Sequence, residues 1–337
     1  VRHRLKDVAE RAGVSVKTVS NVVNGYQHVR ADTRARVEAA IAELNYRPNL
    51  SARNLRKGRT GVIALAVPEL DIPYFAELAR HVVTAAAEHG WTVLIDQTGG
   101  GPEQERKAAS GIADHMIDGL IFSPLALTAD DLAGLDGMPM VLLGERVDHG
   151  PADHVVVDNV AAAREITAHL VGLGRRRIAA IGSQRTPEGA SARLRLAGYT
   201  AALADAGIAY DEHLVAPAPA WHRADGAAAM RHLLTTGVRP DAVFCFNDTL
   251  ALGALRALHE AGLRVPDDVA VAGFDDIEDG RFSIPTLSTV APDKERIARL
   301  AVELLANRLT ADPETPPREL VAPHRLALRE SAPSRRS

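Results

Sequence analysis

The stretch KDVAERAGVSVKTVSNVVNG, residues 6–25, joins two short helical segments at a single glycine, Gly13. Leu5, Val8, Ala9 and Ala12 follow an i, i+3, i+4, i+7 spacing, which gathers them on one apolar face of a first helix. Gly13 can take the left-handed backbone that ends a helix, without a Cβ penalty. Ser15 is placed to cap a second helix, its hydroxyl accepting from an open first-turn amide. Val16, Val19, Val22 and Val23 supply that helix's inward face, and the small Ala9 suits the point where the two helices cross. Lys17, Thr18, Ser20 and Asn21 are left pointing outward, as donors and acceptors for base edges or phosphates. The pattern is that of a helix-turn-helix, whose second helix enters the DNA major groove. A plain αα-hairpin would share the periodicity.

Charge separates the two readings. Residues 1–60 hold 13 lysines and arginines against 5 aspartates and glutamates, a net of +8, while the remainder holds 26 against 38, a net of −12. A basic head on an acidic body points to a polyanionic partner for the head. A third helix follows, capped by Asp32 or Thr33, with Val37, Ile41 and Leu44 on its apolar face. In NYRPNLSARNLRKGRTG, residues 45–61, Pro48 ends that helix and Asn49 or Ser51 can start a short new one. Ala52 and Leu55 share its face, and Arg53, Arg56, Lys57 and Arg59 keep it basic. So short a helix is marginal alone in water. The segment is read as a linker that becomes helical only when bound.

The 337 residues, 46% hydrophobic and 24% charged, suffice for two or three globular domains. A single cysteine, Cys245, excludes an internal disulfide framework and fits a reducing compartment. No apolar run is long enough to cross a bilayer, and the opening residues lack the apolar segment of a secretory signal. The expected location is cytoplasmic and nucleoid-associated, with no membrane partner.

From Gly61 onward, apolar runs alternate with helical stretches. Runs at 61–67, 91–95, 119–123, 139–143 and 153–157 form one series, with helices near 75–89 and 103–117 between the first three. Runs at 177–182, 241–246 and 269–273 form a second. Continuous apolar strands separated by helices indicate parallel sheets covered on both faces, and two series indicate two lobes. Ligands of such sheets bind beyond the carboxyl ends of the strands. The residues there are Tyr74 and Phe75, Gln97 and Thr98, Ser123, Asn247 and Asp248, then Phe274, Asp275 and Asp276, with Trp221 ending the loop PAPAW. These types suit a small polyhydroxylated ligand, since carboxylates accept from hydroxyls and a ring covers an apolar sugar face. Other roles compete: Asp248 and Asp158 as helix caps, Trp221 as ordinary packing, Tyr74 and Phe75 as core. TGGGPEQE, residues 98–105, lacks a phosphate-binding lysine and reads as a helix entrance at Pro102. No phosphate-loop, dinucleotide, nucleophile-elbow or zinc-protease motif is present, so no enzyme activity, metal or cofactor is expected.

KDVAERAGVSVKTVSNVVNG, TRARVEAAIAELNYRPN and SARNLRKGRTGVIALAVP together resemble the lactose-repressor (LacI/GalR) family of bacterial transcription regulators. The likeness extends through SARLRLAGY (191–199), FNDTLALGALRALHEAGLRVPDDVAVAGFDD and IPTLSTV, nearly to the C-terminus. It implies a homodimer reading near-palindromic double-stranded operator DNA. Val16 and Lys17 fall on the family's principal base-reading positions; Ser15, Thr18, Ser20, Asn21, Asn24 and Arg53 complete the expected DNA-contacting set. Leu55 falls on its minor-groove lever, an apolar wedge that bends the duplex. Arg195, Asn247 and Asp275 fall on effector contacts, and Trp221 where a ring packs on a sugar. Tyr74, Phe75, Gln97 and Ser123 complete the expected effector site.

Two departures concern the pocket. Gly144 stands where a carboxylate often follows the fourth strand, and Pro292 where the family's namesake has glutamine. No leucine heptads follow residue 330, so a dimer is expected rather than a tetramer. The expected architecture is an all-α helix-turn-helix DNA-binding head (1–47), a hinge (48–60) and a two-lobed, periplasmic-binding-protein-like α/β body with parallel sheets (61–330), then a disordered tail (331–337). The expected function is a transcriptional repressor controlled by a small-molecule effector, a sugar. Alternatives are a sugar transporter's solute-binding protein, or a regulator answering to a nucleobase or other metabolite.

Overall fold

The computed structural model describes residues 3–23, 26, 28–46, 59–111, 117–135, 138–147, 150–184, 189–237, 239–312 and 314–334. The chain divides into two compact units, Val1–Gly61 and Val62–Ser337.

The smaller unit holds three helices, α1 (Leu5–Ala12), α2 (Val16–Val23) and α3 (Ala31–Glu43). Gly13 has φ +64°, and the Val14 amide donates back to the Ala9 carbonyl, so the chain turns out of α1 as the glycine permits. The Thr18 amide donates to Ser15 Oγ at 3.1 Å, which is the expected cap of α2. Val8, Ala9, Ala12, Val19, Val22 and Val37 are buried together, with Leu5, Val23, Ile41 and Leu44 packed around them. An Arg11–Glu43 ion pair ties α1 to α3.

Two expectations are corrected here. Val16 is not inward; as the first residue of α2 it lies beyond the buried stripe and is 45% exposed. Neither Asp32 nor Thr33 caps α3, because the helix already begins at Ala31 with Arg30 as its uncapped start. Asp32 instead lies in the first turn, where a negative charge suits the helix dipole.

The larger unit contains two six-stranded sheets of the same design. In the first lobe, β1 (Val62–Val67), β2 (Thr92–Gln97), β3 (Gly119–Phe122), β4 (Met140–Leu143) and β5 (Asp153–Val157) are joined by a late strand, β11 (Glu319–Ala322), in the order β11-β5-β4-β3-β1-β2. In the second, β6 (Ile178–Ser183), β7 (Val215–Pro217), β8 (Ala242–Cys245), β9 (Ala270–Phe274) and β10 (Ser288–Pro292) are joined by β12 (His324–Ala327), in the order β12-β10-β9-β8-β6-β7. All pairings are parallel except β10 with β12. Ile63, Leu65 and Val67 face one side of the first sheet while Ala64 and Ala66 face the other, all fully buried, as a doubly covered strand requires.

Helices α4 (Pro73–Glu88), α5 (Pro102–Gly111) and α6 (Ala129–Ala133) cover the first sheet, and α7 (Asn159–Gly172), α8 (Ala190–Asp205), α9 (Arg223–Thr235) and α10 (Asp248–Glu260) the second. A short α11 (Glu278–Phe282) precedes β10, and α12 (Lys294–Arg308) returns to pack on α4 of the first lobe. The chain therefore crosses between lobes three times, near Asp158, Asp293 and Pro323. Two crossings are stitched by the Asp293 amide donating to the Pro323 carbonyl at 3.0 Å. Asp158 and Asp293 each cap the helix that follows, accepting from Ala161 and Arg296.

The tail expectation is corrected at its start. Ser331 and Ala332 are fully buried, Ser331 Oγ donating to the Val271 carbonyl and Ser288 Oγ to the Ala332 carbonyl. A seryl pair that can satisfy strand-edge carbonyls holds this segment to the second sheet. Among the described residues no helix is long and apolar enough to cross a membrane.

Candidate functional site

Both sheets have the strand order 2-1-3-4-5 of a doubly wound fold, which opens a crevice where the order reverses. In the first lobe that point lies between β1 and β3, and in the second between β6 and β8. The loops leaving these strands meet in one cavity of about 360 Å³ between the lobes, within the range typical of small-molecule sites.

The floor comes from the second lobe. Arg195, on the inner face of α8, is buried beneath the cavity. Its Nε donates to Asn159 Oδ1 at 2.7 Å and its Nη1 to the Phe246 carbonyl. The guanidinium lies 3.5 Å from the Phe274 ring centroid and 5.3 Å from that of Trp221, geometries of cation–π attraction. Its Nη2 stands 4.0 Å from Asp275 Oδ1. Burial lowers the guanidinium's pKa, with Asp275 and then Glu145 opposing that shift.

Asp275 follows β9 and is 7% exposed. Burial pushes its carboxyl up to about 6, with Arg195 and Lys294 pulling it down and Glu145 and Glu77 pushing it up. Its backbone is strained, with φ +116° at Asp275 and +49° at Asp276. The strain is held in place. Lys294 Nζ donates to the Asp275 and Asp276 carbonyls at 2.6 and 2.9 Å and pairs with Glu77 of the first lobe at 2.6 Å. Arg281, Arg325 and Arg329 hold the Asp276 carboxylate.

One wall is aromatic. Tyr74 and Phe75 open α4 behind Pro73, their rings edge to face at 5.3 Å. Burial first, and then the Asp275 charge, raise the pKa of the Tyr74 phenol. Trp221 stands opposite with φ +58°, its Nε1 donating to the Gly182 carbonyl at 2.8 Å and its own carbonyl accepting from Asn247 Nδ2 at 3.1 Å and from Thr249 Oγ1.

Of the residues expected at an effector site, Tyr74, Phe75, Ser123, Arg195, Trp221, Asn247 and Asp275 all line this cavity. Gln97 does not. β2 is an edge strand, and the Gln97 side chain turns to accept from the Leu70 amide at 3.0 Å. Asp248 is also not the expected cap. Asn247 caps α10 through Leu250, and Asp248 points into the core to accept from Thr289 Oγ1 and the Ile277 amide. Burial drives the pKa of the Asp248 carboxyl well up, and Asp275 adds to this.

Glu145, Asn159, Gln184 and Ser191 line the cavity but were not among the expected site residues. Glu145, Asn159 and Gln184 stand within two residues of a strand's end, so the rule that found Asn247 would have reached them. Glu145 answers the missing carboxylate at Gly144. Gly144 has φ +81°, and the turn delivers the next side chain into the cleft.

On the rim, Glu69, Asp71 and His222 bring donor atoms within 4.8 Å of one another, the one such grouping among the described residues. Glu69 and His222 pair across the lobes at 3.1 Å.

In the smaller unit, Ser15, Val16 and Lys17 are exposed at the start of α2, with Thr18, Ser20 and Asn21 partly so. Asn24, Arg53 and Leu55 lie outside the described residues.

Comparison with known proteins accounts for both units. Residues 4–49 match the model described as bacterial regulatory proteins, lacI family, and residues 167–332 that of a periplasmic binding protein-like domain. The HTH-type transcriptional repressor PurR of Haemophilus influenzae is 36% identical over 91% of this chain and 91% of its own length. A lac repressor dimer bound to operator and the anti-inducer ONPF matches with TM-score 0.86 at 31% identity, covering 99% of this chain and 100% of the other. A complex of the transcriptional regulator CelR with cellobiose matches with TM-score 0.73 at 34% identity, covering 98% and 100%.

Proposed function

Because the chain belongs to the lacI family of bacterial regulatory proteins, we propose that it is a transcriptional repressor whose affinity for operator DNA is set by a sugar bound between its lobes. The observation that carries the sugar reading is the Arg195–Asp275 pair. Both groups are buried, yet their charged atoms stand 4.0 Å apart, too far for a hydrogen bond between them. A buried charge held off from its partner is costly. A ligand hydroxyl that donates to Asp275 and accepts from Arg195 removes that cost, and the rings of Tyr74, Phe75 and Trp221 cover its apolar faces. The cellobiose complex of a related regulator is consistent with this chemistry.

On the DNA side, Lys17, Thr18, Ser20 and Asn21 are the donors and acceptors that α2 offers to a major groove. An operator built of two inverted half-sites calls for a two-fold dimer. Phe282 and Ile284, 78% and 96% exposed, and Leu94 and Ile95 on the edge strand β2 give the body apolar surface for a second copy. In this reading the protein acts in the cytoplasm, on the nucleoid, and catalyses no reaction.

The test is selection of binding sites from a random duplex library by the full chain. Recovered sites should be inverted repeats, and a sugar that raises the melting temperature of the protein should shift its affinity for them. Recovery of no common sequence would refute the repressor reading, and stabilisation by nucleobases but by no sugar would refute the sugar.

A further inference from the structure

The cleft has a feature that ordinarily attracts anions. Helix α8 runs sixteen residues, and its start at Gly189 offers no side-chain cap. Its first-turn residues Ala190, Ser191 and Ala192 line the cavity. Open amides at the positive end of a helix dipole are a ready anion site.

A carboxylate from the other lobe already reaches that end. Ser191 Oγ donates to Glu145 Oε2 at 2.8 Å, and the Val157 amide donates to Glu145 Oε1 at 3.3 Å. Resting on the assignment of this cleft to the effector, we propose that Glu145 is a specificity-determining residue that excludes anionic ligands, so that the effector is an uncharged polyhydroxyl compound.

The remaining charges agree. Glu69 and Asp275 add two more carboxylates to the lining. Of the two arginines there, Arg195 is held by Asn159, the Phe246 carbonyl and the Phe274 ring with Nη2 left facing Asp275, and Arg146 donates through Nη2 to the Ala126 carbonyl at 2.7 Å. The negative charge of Glu145 is felt across the cavity, where it raises the pKa of both Asp275 and Tyr74. A phosphate or carboxylate on the ligand would have to share the end of α8 with Glu145 or sit against Asp275. One like-charge contact in a partly buried site corresponds to roughly a hundredfold in affinity.

The experiment uses the full chain and matched pairs: glucose, galactose, ribose and cellobiose against their phosphates and uronic acids, by titration calorimetry. In the wild type a neutral sugar should bind, and its anionic counterpart roughly a hundredfold more weakly. In Glu145→Gln, which keeps an acceptor for Ser191 but removes the charge, the gap should narrow at least about tenfold. A second measurement needs no variant. Raising salt should strengthen binding of the anionic member and leave the neutral one unmoved, because screening weakens repulsion.

An anionic ligand that binds the wild type as tightly as its neutral partner would overturn the exclusion while leaving a sugar effector intact. So would a gap unchanged in Glu145→Gln, or one insensitive to salt. Binding of no sugar of either kind would sink the effector reading and this inference together.

Discussion

Acidification should weaken effector binding while easing the burden that Asp275 places on the unliganded fold. Burial pushes this carboxyl from its ordinary 3.8 up to about 6. If the ionised form accepts from a ligand hydroxyl, affinity tracks the ionised fraction, which is nearly complete at about pH 7.5 and about one-tenth at about pH 5. Affinity should therefore fall about tenfold over that interval, or about 1.4 kcal/mol.

The unliganded protein moves in the opposite sense. A carboxyl whose native pKa exceeds its unfolded value binds its proton more tightly when folded. Its unfavourable contribution is thus present in full above about pH 6 and relieved between about 6 and 4. The ceiling on that relief is about 3 kcal/mol for a shift of this size. Asp268, Glu260 and Glu330 have lowered pKa values and act the other way, so the informative quantity is the difference between wild type and Asp275→Asn. Calorimetric titration with the bound sugar from about pH 8 to 5, alongside urea unfolding of both proteins at each pH, supplies both halves. Affinity that stays flat across the range would refute the assignment of Asp275 as a charged acceptor. So would an identical pH dependence of stability in the two proteins.

Three further substitutions probe other parts of the account. Ser15→Ala removes the acceptor for the Thr18 amide, and should cost about 1 kcal/mol in thermal unfolding of the head and weaken operator binding with it. Asp248→Ala leaves the buried Ile277 amide without its acceptor and the Thr289 hydroxyl with the Val290 carbonyl alone; urea unfolding should show a loss of about 2–3 kcal/mol, less than about 0.5 contradicting the packing described. Lys17→Ala should alter which operator variants are preferred; a loss uniform across sequences, with a salt slope reduced by about one, would assign Lys17 to a phosphate instead.

What could be read in the chain beforehand divides along the reach of the forces involved. The helix-turn-helix was legible because its determinants are local. Gly13, the Ser15 cap and the valine spacing each act within one turn. The first series of strands was legible for a related reason, since buried parallel strands are continuous apolar runs. β7, β10, β11 and β12 were not identified, because short strands such as ELVA (Glu319–Ala322) carry little of that signal, and β11 and β12 gain their partners only through the crossovers.

The site followed the same rule. Position after a strand drew attention to Tyr74, Ser123, Asn247 and Asp275, which line the cavity, but could not tell which way a side chain turns. At 247–248 the cap and the core ligand are adjacent polar residues, and only the register of α10 assigns Asn247 to one role and Asp248 to the other. At 144–145 the glycine's positive φ moves the carboxylate one residue along, a shift that residue identity alone does not reveal.

The central claim is that one molecule couples the cleft to the DNA-binding head. Its most direct measurement is the affinity of the full chain for its selected operator, by fluorescence anisotropy, without the sugar and at saturation, paired with the sugar's affinity with and without operator. The account predicts a shift between about 5- and 150-fold, equal in both directions as linkage requires. Operator affinity that is the same at every sugar concentration, with the cleft demonstrably occupied, would contradict it.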